Sequence, residues 1–183
     1  VTGLFPHWLV ERFALTLGRA MQRVEHVRVI QAIDCSAATP ALWGELTGLG
    51  FGRVFEQSEE HALSPAWQQH LRGHQSAMLN VARQLQEIST PRTTTHWSMA
   101  PAKNSFTVHG ESIPQGGAAA ISLIQHSWQN EHCFLTLEQH WYLGKDYATT
   151  GEGIPYGHFN TPYSFTVQVE SDPSRIDAHL ELE

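Results

Sequence analysis

Three polar side chains near the end of a strand-like segment have residue types and spacing that could support acid–base chemistry. Glu138, His140 and Tyr142 lie two residues apart, and alternate residues of a β-strand project from the same face of a sheet. A carboxylate can orient a neighbouring imidazole as a general base, and a tyrosine hydroxyl can serve as a second proton donor. We therefore take these residues as the candidate catalytic group. Exposure of one sheet face to water would produce the same alternation without any site.

The opposite face of this strand is predicted to be apolar, because Cys133, Leu135 and Leu137 alternate with the polar residues. A two-residue loop at Gln129-Asn130 would place His126 opposite Cys133. Such a pair could take part in a metal site or activate a thiolate. No further ligands accompany it, so we predict neither a metal nor another cofactor.

Two histidines lie four residues apart in a predicted helix. The spacing of His70 and His74 lets two imidazoles share a metal ion, but residues 71–73 lack the acidic residue of a metalloprotease motif. His74 fills the gap in an apolar stripe between Leu71 and Met78. We predict a hydrogen-bonded core histidine at this position, and we retain His74 as a candidate ligand contact.

A long connection between Leu143 and Thr161 is rich in glycine and in the aromatic and polar groups that are common at recognition surfaces. Loops of this length in a compact domain are commonly functional, so one interpretation is a lid over a ligand or a partner contact. A structural connection packed on the sheet edge is the other. The candidate binding residues in it are Tyr147, Tyr156, His158, Phe159 and Asn160.

Three helix starts are predicted in the first 90 residues. Proline favours the first helical turn, and it occurs at Pro6, in Thr39-Pro40 and in Ser64-Pro65, where the serine can cap the helix. Apolar residues recur at helical spacing up to Ile88, so the third helix should be long. Residues 25–33 are rich in β-branched side chains and fit either a helix extension or a short strand.

Strands are predicted after Pro91. The segment from Thr93 is expected to form a hairpin that turns at residues 101–104 into Phe106 and Val108. Four longer strands follow, and neighbouring strands are expected to pair antiparallel. Each of the last two strands is expected to have one apolar and one polar face. The four strands are Ala118 to Trp128, His132 to Leu143, Tyr163 to Glu170 and Ile176 to Leu182.

The change from helical to alternating period near Pro91 predicts an α+β fold. We expect a single domain, residues 1–183, in which a helical half, residues 1–90, packs on one face of a C-terminal antiparallel sheet of about five to six strands, residues 91–183. Cys35 and Cys133 are too few and too far apart for a disulfide framework. We therefore predict two buried thiols and a cytoplasmic location.

Composition argues against two classes of protein. The formal net charge is -7 with 11 Lys and Arg, too few and too dispersed for binding to nucleic acid. No apolar run approaches the roughly 20 residues that a membrane-spanning helix needs. The sequence is rich in histidine, with 12 residues, whose protonation below about pH 6.5 would cancel much of the charge. No phosphate-binding glycine loop or nucleophile elbow is present.

These observations favour a non-catalytic interaction or ligand-binding module that uses the long loop and an exposed sheet face. Its partner would be a protein or a small-molecule ligand, and the final strand could form a homo-oligomer through a sheet edge. The alternative is a small cofactor-independent enzyme, a lyase, isomerase or hydrolase. In that enzyme His140 would be the base, Glu138 its orienting group, and Tyr142 or His74 the acid. Convergence of these four side chains in one concave site would favour the enzyme.

Overall fold

The structure is a computed structural model that describes residues 9–37, 48–54, 65–86, 90–144 and 163–182. The α-helices that these ranges contain in full are α1 (Leu9–Arg19) and α2 (Pro65–Gln86). Its strands are β1 (His26–Asp34), β2 (Arg92–Pro101), β3 (Phe106–Val108), β4 (Glu111–Ile113), β5 (Ala118–Gln129), β6 (His132–Tyr142), β7 (Tyr163–Ser171) and β8 (Ser174–Leu182). A short 3-10 turn, Cys35–Ala37, follows β1.

The strands form one mostly antiparallel six-stranded sheet in the order β2-β5-β6-β1-β7-β8. β1 runs parallel to β6 and antiparallel to β7, and the other neighbours in this sheet are antiparallel. Strands β3 and β4 form a separate two-stranded sheet. The expected α+β fold is therefore present, and so is the expected antiparallel pairing of β5 with β6.

The segment that fits either helix or strand in the sequence is a strand. β1 lies in the middle of the sheet, between β6 and β7, although it precedes Pro91 in the chain. Its β-branched side chains suit a pleated surface, and Val27 and Val29 are buried. The first 90 residues are consequently not helical throughout, because one central strand comes from them.

The hairpin predicted after Thr93 is wrong. β2 pairs with β5, whereas Phe106–Val108 pairs with Glu111–Ile113. The turn between these short strands contains His109 and Gly110, both with positive φ, as a tight two-residue hairpin turn requires. The 10-residue β2 gains a far longer ladder of backbone hydrogen bonds from the 12-residue β5 than three-residue β3 can offer.

α2 begins at Pro65, as the Ser64-Pro65 pair predicts. The predicted helix starts at Pro6 and at Thr39-Pro40 lie outside the described residues. Side chains of both helices are buried in one cluster with strand residues, and burying each of the larger ones stabilises the fold by about 1.5–3 kcal/mol. This cluster includes Ala14, Leu15, Ala77, Met78, Val81, Ala82, Val27, Val29, Leu135, Leu137, Phe165 and Val167. Neither α1 nor α2 is long and apolar enough to cross a membrane.

The two faces of the six-stranded sheet differ in polarity. Directly paired residues of neighbouring strands project from the same face. We call one the polar face, and its central residues are Arg28, Ile30, Ser122, Ile124, His126, Thr136, Glu138, His140 and Tyr142. We call the other the apolar face, and its central residues are Val27, Val29, Gln31, Leu123, Gln125, Ser127, Leu135, Leu137 and Gln139.

A β-bulge in β6 corrects the predicted position of Cys133. Ser127 pairs with Leu135, and the next residue, Trp128, pairs with Cys133, so β6 has one residue more than β5 at this point. Phe134 and Leu135 both enter the core cluster with the helices. Cys133 is thereby turned away from the apolar face, where strict alternation had placed it.

Candidate functional site

Glu138 lies at the centre of the polar face and is held by an arginine from β1. The Nε of Arg28 donates a hydrogen bond of 2.6 Å to Oε1 of Glu138. The side chain of Glu138 is 13% exposed and that of Arg28 is 42% exposed. The two residues are 110 positions apart in the sequence, and only the pairing of β1 with β6 brings them together.

The carboxyl group of Glu138 is ionised over the whole neutral and mildly acidic range. Burial alone would raise its pKa, but the neighbouring side chains of His140 and Arg28 outweigh that effect and lower the pKa to about 2. The hydrogen bond between Arg28 and Glu138 is also the chief reason why the pKa of the Arg28 guanidinium is raised. The polar face therefore carries an ionised carboxylate that is paired with Arg28 and largely shielded from solvent.

His140 connects Glu138 to a serine of β5. Its Nδ1 lies 2.9 Å from Oγ of Ser122, and its Nε2 lies 3.6 Å from Oε2 of Glu138. An anionic carboxylate favours a proton on the nitrogen that faces it, and in the tautomer with hydrogen on Nε2 the Nδ1 atom accepts from the Ser122 hydroxyl. This orientation is the one a general base toward Ser122 would need.

The three residues predicted as a catalytic group share the polar face but differ in their surroundings. His140 and Tyr142 are 3% and 2% exposed, so exposure to water does not account for their presence on this face. Tyr142 pairs in the backbone with Asp34 and Ala120 and belongs to a buried cluster at that end of the sheet. The structure thus brings Glu138 and His140 together, and it adds Arg28 and Ser122.

His74 does not join this group. It is fully buried in α2, and its Nε2 accepts a hydrogen bond of 2.8 Å from the side-chain amide of Gln139. Gln139 projects from the apolar face, on the side of the sheet opposite Glu138 and His140. His74 is therefore a hydrogen-bonded core histidine, as its place in the apolar stripe predicts, and the sheet separates it from the candidate acid–base residues.

A second hydrogen-bonded group surrounds Thr136 on the polar face. Its Oγ1 lies 3.1 Å from Nε2 of His26 and 3.1 Å from Nδ1 of His126. Sγ of Cys133 lies 3.6 Å from the same oxygen and 3.8 Å from Nδ1 of His126. His126 is thus a near neighbour of Cys133, although its direct strand partner is Thr136. Burial lowers the pKa of His26, and Glu170 opposes that effect only in part.

No metal centre is found in the described part of the chain. Among those residues, no three His, Cys, Asp or Glu side chains are grouped so that they could hold a metal ion. Both cysteines are free; Cys35 is buried, whereas Cys133 is half-buried, contrary to the prediction of two buried thiols. Burial raises the pKa of the Cys35 thiol to about 12, with a smaller contribution from Asp34.

The remaining predicted site residues lie where the structure gives no description. Tyr147, Tyr156, His158, Phe159 and Asn160 belong to residues 145–162, outside the described ranges. The side chain of His70 is likewise not described.

Comparisons with known proteins show a likeness in structure but none in sequence. A scan against protein-family models finds no match, and a search of the curated proteins finds no relative. Among solved structures, an amine dehydrogenase from Mycobacterium smegmatis matches with a TM-score of 0.59 and 14% sequence identity. The match covers 94% of this chain and 46% of that chain, so this chain spans less than half of that protein's length. At this identity the likeness shows the fold alone.

Proposed function

We propose that this chain is a ligand-binding module and that its ligand is a small alkylammonium ion held at Glu138. The observation that carries the proposal is an ionised, mostly buried carboxylate with an isoleucine on each side. Glu138 pairs with Ile30 of β1 and Ile124 of β5, and both isoleucines are half-buried on the same face. A carboxylate for the ammonium group and two apolar side chains for the carbon chain are the groups that such a ligand requires.

One oxygen of the Glu138 carboxylate is the better acceptor for a ligand. Oε1 is engaged by Arg28 at 2.6 Å, whereas Oε2 lies 3.6 Å from Nε2 of His140. A contact of 3.6 Å is longer than an ordinary hydrogen bond. An ammonium group that approaches Oε2 would form a shorter, charge-assisted bond, and the partly shielded position would strengthen it.

The isoleucines support recognition of a short carbon chain. Neighbouring strands lie about 4.8 Å apart, so Ile30 and Ile124 flank Glu138 at a distance that a chain of a few carbons can bridge. Each buried methylene of the ligand would add about 0.8 kcal/mol of binding free energy. We propose further that α1 and α2 cover the apolar face and leave the polar face to the ligand, with the loop residues Tyr147, Tyr156, His158, Phe159 and Asn160 completing the site.

The structural neighbour is named for amines, which agrees with the proposed class of ligand. Nearly all of this chain corresponds to 46% of an amine dehydrogenase, a protein whose name gives amines as its substrates. We propose that this chain supplies ligand binding to a larger assembly, and that the groups which carry out chemistry on the amine belong to another part of it.

A calorimetric titration tests the proposal. We expect n-butylammonium to bind the chain, and 1-butanol, which has the same carbon chain without the charge, to bind at least about tenfold more weakly. Glu138→Gln removes the charge and keeps the shape, and it should weaken n-butylammonium binding by about tenfold or more. Glu181→Gln changes a carboxylate at the edge of the same sheet and is the matched control. Equal affinity in the wild type and Glu138→Gln would contradict the proposal.

The arrangement of Ser122 and His140 favours one second candidate, an acid–base enzyme of the hydrolase class. His140 is positioned to take the proton of the Ser122 hydroxyl, and Glu138 orients the imidazole from its other side. The test is hydrolysis of p-nitrophenyl acetate by the wild type and by Ser122→Ala, His140→Ala and Glu138→Gln. Loss of activity in all three variants would support this candidate, and unchanged rates would exclude it.

A further inference from the structure

A cleft of about 420 Å³ lies where the C-terminal ends of α1 and α2 meet. Met21, Val24 and Leu85 supply its apolar lining, and Arg19 and Arg23 supply its charged lining. The volume falls within the range of about 300–1,000 Å³ that is usual for small-molecule sites. None of these residues belongs to the six-stranded sheet, so the cleft is separate from the proposed alkylammonium site.

The end of α1 shapes one wall of the cleft. Gly18 has no side chain, which lets α1 approach Leu85 of α2 closely. The chain then leaves the helix in a tight turn, in which the amides of Ala20 and Met21 donate to the carbonyl groups of Leu17 and Gly18 at 3.0 and 3.1 Å. Two of the carbonyl oxygens at this helix end are thus occupied and do not repel an anion as free acceptors would.

Arg19 is held at the cleft by neighbouring side chains. Its Nη2 donates to Oε1 of Gln84 at 3.1 Å, and Nε2 of Gln84 donates to Oδ1 of Asn80 at 3.1 Å. A guanidinium has five N–H donors, so this bond leaves others for a ligand. Within the described ranges, no carboxylate forms an ion pair with Arg19. Arg23 lies 4.0 Å from Glu25 and its side chain is 82% exposed, a weak pair that a ligand carboxylate can replace.

The helices form a positive region in an acidic chain. The formal net charge of the chain is -7, yet α1 and α2 together contain a single acidic residue, Glu11, against four arginines: Arg12, Arg19, Arg72 and Arg83. The C-terminal end of a helix carries only about half a negative charge, which these arginines outweigh. The cleft should therefore attract an anion and repel an alkylammonium ion.

We infer that this cleft is a second ligand site, which takes a small carboxylate with a short carbon chain. The carboxylate binds Arg19 and Arg23 through charge-assisted hydrogen bonds, and the carbon chain packs against Met21 and Leu85. The site shares no residue with the group around Glu138, so it goes beyond the alkylammonium proposal and either one can fail without the other.

Nuclear magnetic resonance of the methionine methyl groups tests the site, because the three methionines of the chain report on three places. Met21 lines the cleft, Met78 is fully buried in the core, and Met99 lies in β2. We expect hexanoate to shift the Met21 signal and to leave the other two in place. 1-Hexanol, which has the same number of carbons without the charge, should bind at least about tenfold more weakly. An unchanged Met21 signal, or equal affinity for both compounds, would overturn the inference.

Charge-removing variants supply an independent measurement. Arg19→Gln should weaken hexanoate binding by about tenfold or more. Arg12→Gln is the matched control, because Arg12 is an exposed arginine of the same helix that does not line the cleft. Equal losses in both variants would show only a general attraction to positive charge and would contradict the site. Should Arg19→Gln not fold, Arg23→Gln serves instead, and an unchanged affinity there would count against the inference.

Discussion

The low pKa of Glu138 should make the free energy of unfolding decrease as the pH falls in the acidic range. Its carboxyl has a pKa of about 2 in the fold, against an ordinary value of 4.5. Because the folded pKa is the lower one, the stabilisation is complete above about pH 4.5 and is lost as the pH falls toward 2. Over that interval the free energy of unfolding should fall by about 3 kcal/mol more in the wild type than in Glu138→Gln. Urea unfolding at several pH values measures the free energy of unfolding of both proteins. The same pH dependence in the wild type and in Glu138→Gln would contradict the account.

The two thiols should differ in reactivity. Cys35 is 4% exposed, and burial raises its pKa to about 12, so the thiol stays protonated. Cys133 is half-buried on the polar face beside His126. We expect a disulfide reagent at pH 7.5 to modify Cys133 at least about tenfold faster than Cys35, because the thiolate is the reacting species. Mass spectrometry of the early product identifies the site, and faster reaction at Cys35 would contradict the assigned environments.

The sequence predicted part of the candidate site. Alternation identified Glu138 and His140 as neighbours on one face, because that relation is local to one strand. Arg28 and Ser122 were missed, since their contacts depend on how strands far apart in the chain pair. His74 was recognised as a core histidine from its place in a helical stripe, but its side of the sheet followed only from its contact with Gln139.

The packing of α1 against α2 depends on a small residue. A side chain at Gly18 would place its Cβ 2.7 Å from Cδ1 of Leu85, which is closer than carbon atoms approach. Gly18→Val should therefore destabilise the protein by about 1–3 kcal/mol, and adding Leu85→Ala should make the Gly18 substitution less costly. Gly48→Val is the control, because within the described part of the chain a Cβ there meets no side chain within 4 Å. Additive effects of the two substitutions in thermal unfolding would contradict direct contact.

Elements with strong local signals were predicted best. α2 begins at its proline, and β7 and β8 alternate as expected, because capping and burial of one face act within a few residues. The partners of β2 and the position of β1 were not predicted, since both depend on strand pairing between segments that are far apart in the sequence. The bulge at Phe134 was missed for a related reason. One extra residue in β6 becomes visible only against its register with β5.

As a whole, the chain is expected to bind an amine without transforming it. The proposed site consists of the ionised Glu138 between Ile30 and Ile124, groups that can hold an alkylammonium ion but cannot accept its electrons. Incubation of the chain with n-butylammonium and a nicotinamide cofactor should therefore give no amine-dependent change in absorbance at 340 nm. Binding of n-butylammonium measured in the same buffer is the control. Amine-dependent reduction of the cofactor by this chain alone would contradict a purely binding role.

The most direct test of the account is the position of the alkylammonium ligand. A titration of the labelled chain with n-butylammonium should shift the methyl signals of Ile30 and Ile124 and the backbone signal of Glu138 together, with one dissociation constant. Unchanged signals at these three residues, while others shift, would show that the ligand binds elsewhere and would contradict the account.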